Sequence, residues 1–114
     1  NTFLATKVSF FNELNKMFNK LEVHDEWDNF IDYLSKDPRI GNSHMSVPGH
    51  DGKHGFGGAC LPKDSRALVD CAERLGSELS VLKQAINANN KIRKKYNIDQ
   101  RESDQNINFI SKNK

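Results

Sequence analysis

The chain has 114 residues, with 17 lysines and arginines against 15 aspartates and glutamates, and a formal net charge of +2 at pH 7. Charges of both signs are interspersed and nearly balanced, which argues against general binding to nucleic acid or to a membrane surface, so any phosphate recognition must be local. The length fits one domain with a modest core.

The two cysteines, Cys60 and Cys71, are too few for a disulfide framework. A reducing compartment is therefore expected, and the cytoplasm is the predicted location. The sequence has no apolar run near eighteen residues and no charged-then-apolar leader, so neither a membrane span nor a signal peptide is expected.

Two helices are predicted before Pro38. Apolar residues recur at spacings of three and four from Leu4 to Leu21, which predicts a long amphipathic helix packed in the core or in a dimer. The pattern is already under way at Asn1, so we expect this helix to be entered from upstream sequence. The second helix is predicted to start with Asp25 as its N-cap and to end before Pro38. Its predicted buried residues are Trp27, Phe30, Ile31 and Leu34.

Two further helices are predicted after residue 60. One covers Ser65 to Leu75 and stops at Gly76, and the other is capped by Ser77. Cys71 falls on the apolar side of the first of these, which predicts an inert core thiol. The side predicted to be buried consists of Leu68, Cys71, Ala72 and Leu75.

No strand, repeat or domain linker is evident, so the predicted fold is all-α. Residues 97–114 are mostly polar, and we expect them to fray or to dock weakly. The predicted organisation is a domain over residues 1–96 followed by a polar tail over residues 97–114.

A glycine-rich loop is the most unusual feature of the sequence. Five of the seven glycines fall between Gly49 and Asp64, and residues 42–60 show no helical or strand periodicity. Glycine lets the backbone approach a ligand closely, so we expect main-chain N–H groups here to surround a ligand. Pro62 is favoured at the first helical position, which places Cys60 at or just before a helix N-terminus. The helix dipole and the nearby Lys63 favour the thiolate, and Cys60 is a candidate nucleophile.

Three sequence blocks in order resemble the UDP-glucose/GDP-mannose dehydrogenase family. They are FFNEL at residues 10–14, DPRIGN at residues 37–42 and GFGGACLPKD at residues 55–64. The resemblance covers residues 1–93, and none is evident beyond Arg93. It implies the family's central domain, with four main helices like the C-terminal domain of 6-phosphogluconate dehydrogenase. The portion Val47 to His54 looks like an insertion into the family's loop.

The resemblance also implies a reaction and its residues. The family oxidises the C6 alcohol of a nucleotide sugar to a carboxylate, with two NAD⁺ used in succession and a cysteine that forms a thioester. By this resemblance the catalytic residues are Cys60, Asp64 and Asn1. The residues implied to bind substrate are Asn1, Arg39, Gly55, Phe56 and Gly57, and those on the cofactor side are Cys60 and Lys63.

The implied partners are a nucleotide-sugar substrate, a second copy of the chain paired through the first helix, and a separate NAD-binding domain. Arg39 is implied to reach across the dimer to the partner's site. NAD would bind through an N-terminal domain that these residues lack, and the lysine expected four residues before Asn1 is missing. We therefore expect no turnover by the chain alone.

Two alternatives remain open. The first is that the chain is a non-catalytic dimerisation module of the same family. The second, which the spacing of the candidate ligands favours less, is a small metal-binding domain. The candidate zinc ligands are His44, His50, His54 and Cys60.

Overall fold

A computed structural model of the chain describes residues 1–110. Those residues form five helices and no strand, which confirms the predicted all-α fold. The helices are α1 (Thr2–Lys20), α2 (Trp27–Ser35), α3 (Cys60–Arg74), α4 (Ser80–Arg93) and α5 (Gln100–Asp104).

The centre of the fold is the packing of α1 against α3 and α4, which also pack against each other. Small side chains allow the helices to approach closely: Ala5 is fully buried, and Ser9 Oγ donates a hydrogen bond to the Ala85 carbonyl at 3.1 Å. Asn12 and Asn15 of α1 are also buried. The face of α1 that meets α4 is therefore more polar than its apolar periodicity suggests.

The apolar core lies between the C-terminal half of α1 and α2. Phe11, Trp27 and Met45 are buried there, and the Trp27 indole Nε1 donates a hydrogen bond to the Met45 carbonyl at 3.2 Å. The second helix thus buries Trp27 as predicted, and it begins two residues later than the predicted cap at Asp25. Partly buried residues complete this core: Leu14, Phe18, Phe30, Ile31, Leu34, Ile40 and Val47.

The third helix differs from its prediction in both extent and buried face. It starts at Cys60, so Pro62 occupies its third position, where a missing N–H still costs no intrahelical bond. Gly76, at φ +75°, ends it as predicted. The buried residues of α3 are Pro62, Ser65 and Ala72.

The prediction that Leu68, Cys71 and Leu75 are core residues was wrong. Leu68 and Leu75 are 42% and 79% exposed, and Cys71 is also exposed. Spacing identifies an apolar face, but small residues occupy the side that α1 and α4 approach closely.

The C-terminal segment is better packed than expected. The fourth helix begins at Ser80, without the predicted Ser77 cap, and ends at Arg93. Downstream, Asp99 and Glu102 form a reciprocal capping box at the start of α5, and Phe109 is 6% exposed. Glu102 and Phe109 are therefore docked, whereas most of residues 97–110 are exposed, and residues 111–114 lie outside the described residues. The division at residue 96 stays a prediction.

One face of α1 is apolar and open. Phe3, Phe10 and Met17 recur every seven residues and are 74%, 60% and 55% exposed. Phe3 and Phe10 border a groove of about 430 Å³ between α1 and α2. None of the helices within residues 1–110 is both long and apolar enough to cross a membrane.

Candidate active site

Cys60 is the first residue of α3, and it is a free, exposed thiol. The N–H groups of a helix's first turn have no partners within the helix, and they favour a negative charge placed there. The sequence prediction that Cys60 lies at a helix N-terminus is confirmed. Asp64 follows one helical turn later on the same side of α3.

Asn1 and Asp64 meet although 63 residues separate them. Asn1 Nδ2 donates a hydrogen bond to Asp64 Oδ2 at 2.7 Å, and Lys63 Nζ lies 3.9 Å from the other carboxylate oxygen. The packing of α1 on α3 creates this contact, because it brings the start of one helix to the first turn of the other. The structure thus places three of the predicted site residues together, one turn from Cys60.

The glycine-rich loop is held by the chain's own side chains. The N–H of Gly55 donates to Asn12 Oδ1 at 2.8 Å, that of Phe56 to Asn89 Oδ1 at 2.7 Å, and that of Gly58 to Glu102 Oε2 at 2.8 Å. We expected these N–H groups to surround a ligand, and that expectation was wrong for all three. The glycines instead let the loop lie directly on a layer of buried polar side chains.

The outer side of the loop borders a cleft of about 410 Å³, within the size range of small-molecule sites. Gly55, Phe56 and Gly57, all predicted to bind substrate, line it together with Leu61, the residue after Cys60. Phe56 is 4% exposed, so its ring is part of the core and its contribution to the cleft is small. The remaining lining is mostly polar, and three of its residues come from the insertion: Gly49, His50 and Asp51. The others are Asn42, Ser43, His44, Ser46, Arg93 and Arg101, with Val8 from α1.

Arg39 does not join the other predicted site residues of its own chain. Its side chain is 89% exposed, borders the apolar groove beside α1, and pairs with Asp37 at 2.7 Å. The Arg39 side chain, followed by its backbone N–H, holds the pKa of the Asp37 carboxyl below its usual value. The turn therefore presents a preformed guanidinium at the surface.

The four candidate zinc ligands do not form a metal site. No group of three histidine, cysteine, aspartate or glutamate side chains within residues 1–110 converges to hold a metal ion. His44 and His50 border the same cleft. Burial, then the charges of Lys7, His50 and the N-terminus, lower the pKa of His44. These two side chains are therefore part of the cleft wall.

Comparison with known proteins settles the family. A model of the UDP-glucose/GDP-mannose dehydrogenase family, central domain, matches residues 1–91. The chain belongs to this family. UDP-glucose 6-dehydrogenase YwqF of Bacillus subtilis (strain 168) is 36% identical over 91 residues, which cover 79% of this chain and 19% of the relative. The UDP-glucose 6-dehydrogenase of Pseudomonas aeruginosa is 37% identical over 92 residues, covering 79% and 18%.

A third relative, UDP-glucose 6-dehydrogenase of Campylobacter jejuni, is 36% identical over 96 residues, covering 84% of this chain and 22% of its own length. The chain therefore spans about one fifth of the length of the curated relatives it matches. The matched residues, 1–91, correspond to the family's central domain.

Sequence reasoning missed the residues that support the loop. Asn12, Asn89, Arg93 and Glu102 are all buried, between 1% and 3% exposed. Two signals were available. Asn12 and Asn89 are polar residues within amphipathic helices, and the pattern Asp-x-x-Glu at residues 99–102 is a readable capping box. The first signal would have predicted buried hydrogen bonds made by the helices. The second would have predicted an ordered turn in the tail.

Acid should weaken the attachment of the insertion to α4. Asp51 lies 2.9 Å from the buried Arg93. Burial raises the pKa of Asp51, but hydrogen bonds from Arg93 and Lys53 and the charges of both outweigh it, and the net shift is downward. A lowered folded-state pKa gives stability that is present above the unfolded-state value and lost as the pH falls through the folded-state value.

We therefore expect Asp51→Asn to lower the free energy of unfolding by about 1–2 kcal/mol at neutral pH and to flatten its decline below about pH 4. Urea unfolding across pH measures both effects. Asp70→Asn, on the exposed side of α3, is the control and should change neither. An Asp51→Asn variant with the same acid dependence as the parent would contradict this role.

Proposed function

We propose that the chain is the central domain of an NAD-dependent nucleotide-sugar 6-dehydrogenase of the UDP-glucose type. In this proposal it supplies the nucleophilic cysteine and the dimer interface. The supporting observation is the exposed Cys60 at the first residue of α3, with the hydrogen-bonded Asn1–Asp64 pair one helical turn away. Membership of the family gives this arrangement its chemical interpretation.

Cys60 acts on the aldehyde at C6 of the sugar. Its thiolate adds to the carbonyl carbon, and the carbonyl oxygen takes up a proton, which gives a thiohemiacetal. Loss of a hydride from that carbon and of the hydroxyl proton leaves a thioester. Water then attacks the thioester carbon, the C–S bond breaks, and the products are the carboxylic acid and the free thiol.

Asn1 and Asp64 order the groups around that water. The Asn1 side chain holds Asp64 Oδ2 at 2.7 Å, and the other oxygen faces Lys63 Nζ at 3.9 Å. A carboxylate fixed in this way suits a base that takes a proton from the attacking water. Lys63 is proposed to lie on the cofactor side of the site, where its charge would favour bound phosphate.

The dinucleotide does not fit this chain by itself. Residues 1–110 contain no strand, and so lack the strand–turn–helix that normally holds the pyrophosphate of NAD. NAD⁺ supplies the hydride acceptor in the proposed reaction, and a separate NAD-binding domain would have to hold it. The chain does contain residues proposed to bind the substrate, since Gly55 and Gly57 border the cleft.

The apolar stripe of α1 is the proposed dimer interface. Phe3, Phe10 and Met17 lie on the face away from Ala5 and Ser9, and a two-fold axis along this face would make an isologous contact. Arg39 borders the same groove, and in this proposal it reaches the site of a second copy. We propose a cytoplasmic location, which agrees with both cysteines being free.

NADH production tests the proposal. The chain alone, given UDP-glucose and NAD⁺, is expected to make none. Fused to the remainder of YwqF in place of the matched 91 residues, it is expected to make two NADH for each UDP-glucose, because four electrons are removed in two hydride transfers. Robust NADH from the isolated chain would contradict the proposal.

The alternative, a dimerisation module without catalysis, is supported by the open apolar stripe of α1. It predicts a dimer in solution and a fusion protein that binds UDP-glucose without reducing NAD⁺. The same fusion assay therefore separates the two functions.

A further inference from the structure

A buried charged pair lies directly beneath the glycine-rich loop. Arg93, the last residue of α4, is 2% exposed, and Glu102 of α5 is 1% exposed. Arg93 Nη1 lies 3.8 Å from Glu102 Oε2. Burial of two charges is costly, and such a pair persists only where other hydrogen bonds satisfy it.

Both carboxylate oxygens of Glu102 are used. Oε2 accepts the Gly58 N–H at 2.8 Å, and Oε1 accepts the Asp99 N–H at 3.0 Å. Asp99 in turn accepts the Glu102 N–H at 2.9 Å, so the capping box fixes the orientation of the glutamate. Glu102 therefore links the first turn of α5 to the loop two residues before Cys60.

Arg93 fastens the loop at two more points. Its Nη2 donates to the Gly55 carbonyl at 3.1 Å and pairs with Asp51 in the insertion at 2.9 Å. Neither Arg93 nor Glu102 falls within the residues that the family model matches, which end at residue 91. Part of the loop's support thus comes from residues that lie beyond the family model's match, in addition to Asn12 and Asn89 within it.

We propose that Glu102 is a positioning residue for Cys60, and that Arg93 neutralises it and ties it to the rest of the loop. By holding the Gly58 N–H, Glu102 fixes the backbone that enters α3, and with it the orientation of the helix's first turn. This role rests on the proposed function only in that Cys60 is taken as the reacting group. The contact itself is independent of any ligand.

The test uses the 114-residue chain with Cys71→Ser, so that Cys60 is the single thiol. Glu102→Ala is expected to accelerate amide exchange at Gly58 by more than about tenfold relative to amides in the middle of α1. It is also expected to slow alkylation of Cys60 by iodoacetamide at least about threefold, because a frayed first turn no longer holds its free N–H groups in a fixed orientation around the first residue of α3. Glu102→Gln keeps an oxygen for the Gly58 N–H and should restore most of the protection.

Glu78→Ala is the matched control, since that side chain is 72% exposed and 4.0 Å from Lys83. It should change neither readout. Unaltered Gly58 exchange in Glu102→Ala, or an equal change in Glu78→Ala, would overturn the proposal. Where Glu102→Ala fails to fold, Glu102→Met takes its place, because it keeps the size of the side chain and removes both oxygens. It should expose Gly58 more than the parent does, and parental exchange and alkylation would overturn the role.

These readouts need neither UDP-glucose nor NAD⁺. A fusion protein without dehydrogenase activity would therefore refute the proposed function and leave the role of Glu102 intact. Unchanged Gly58 exchange in Glu102→Ala would refute the role of Glu102 and leave the proposed function intact.

Discussion

Replacing Cys60 by serine in the YwqF fusion protein is expected to lower NADH production from UDP-glucose by more than about 10³-fold. A hydroxyl at the start of α3 stays protonated near neutral pH, so the addition to the C6 aldehyde loses its nucleophile. Steady-state NADH absorbance measures the loss. The fold should be unaffected, because Cys60 is exposed.

Cys71→Ser is the matched control for this substitution. Cys71 is also a free, exposed thiol, on the same helix and three turns further on. The change of side chain is identical, but Cys71 lies far from the helix N-terminus and from the Asn1–Asp64 pair. We expect activity within about twofold of the parent. A loss as large as that of Cys60→Ser would contradict the assignment of the nucleophile.

Gly57→Ala is expected to destabilise the chain by about 3 kcal/mol. A methyl group at this position would come within 2.5 Å of Arg93 Nη1 and 2.8 Å of Arg93 Cζ, and still closer to Glu102 Oε2. These side chains are nearly fully buried and bonded to the loop, so they can move away only by breaking their ion pair or the Gly58 hydrogen bond. Thermal or urea unfolding of the variant measures the cost.

Gly49→Ala is the control for that loop substitution. A methyl group there would meet the Lys53 carbonyl at 3.7 Å and Asp51 Oδ1 at 3.8 Å, which is ordinary contact. The backbone at neither glycine has a positive φ, so the two variants differ in space alone. We expect Gly49→Ala within about 0.5 kcal/mol of the parent. Equal costs for the two variants would show that the polar layer does not constrain the loop.

The sequence predicted the helices better than it predicted their buried faces. Apolar spacing located α1 and α2 closely, and Gly76 marked the end of α3. Spacing failed for Leu68 and Leu75, because periodicity cannot tell which side of a helix a neighbour approaches. Small or polar residues such as Ser9 and Ser65 line the tight contacts between α1, α3 and α4. A hydropathy pattern does not identify such residues as buried.

The candidate site was predictable where one local pattern determines it. The glycine-rich block and the proline after it placed Cys60 at a helix N-terminus. The contact between Asn1 and Asp64 depends on how two distant helices pack, so no local pattern predicts it without the family. Glu102 was missed because a polar composition was taken to mean weak docking, although a capping box can orient a buried carboxylate.

Mass spectrometry of the fusion protein during turnover tests the central claim most directly. Acid quenching with UDP-glucose and NAD⁺ present, followed by peptide analysis, is expected to find a substrate-derived adduct on the Cys60 peptide that hydroxylamine removes, with none on the Cys71 peptide. Turnover at the parent rate by the Cys60→Ser protein, or an adduct found only at Cys71, would contradict it.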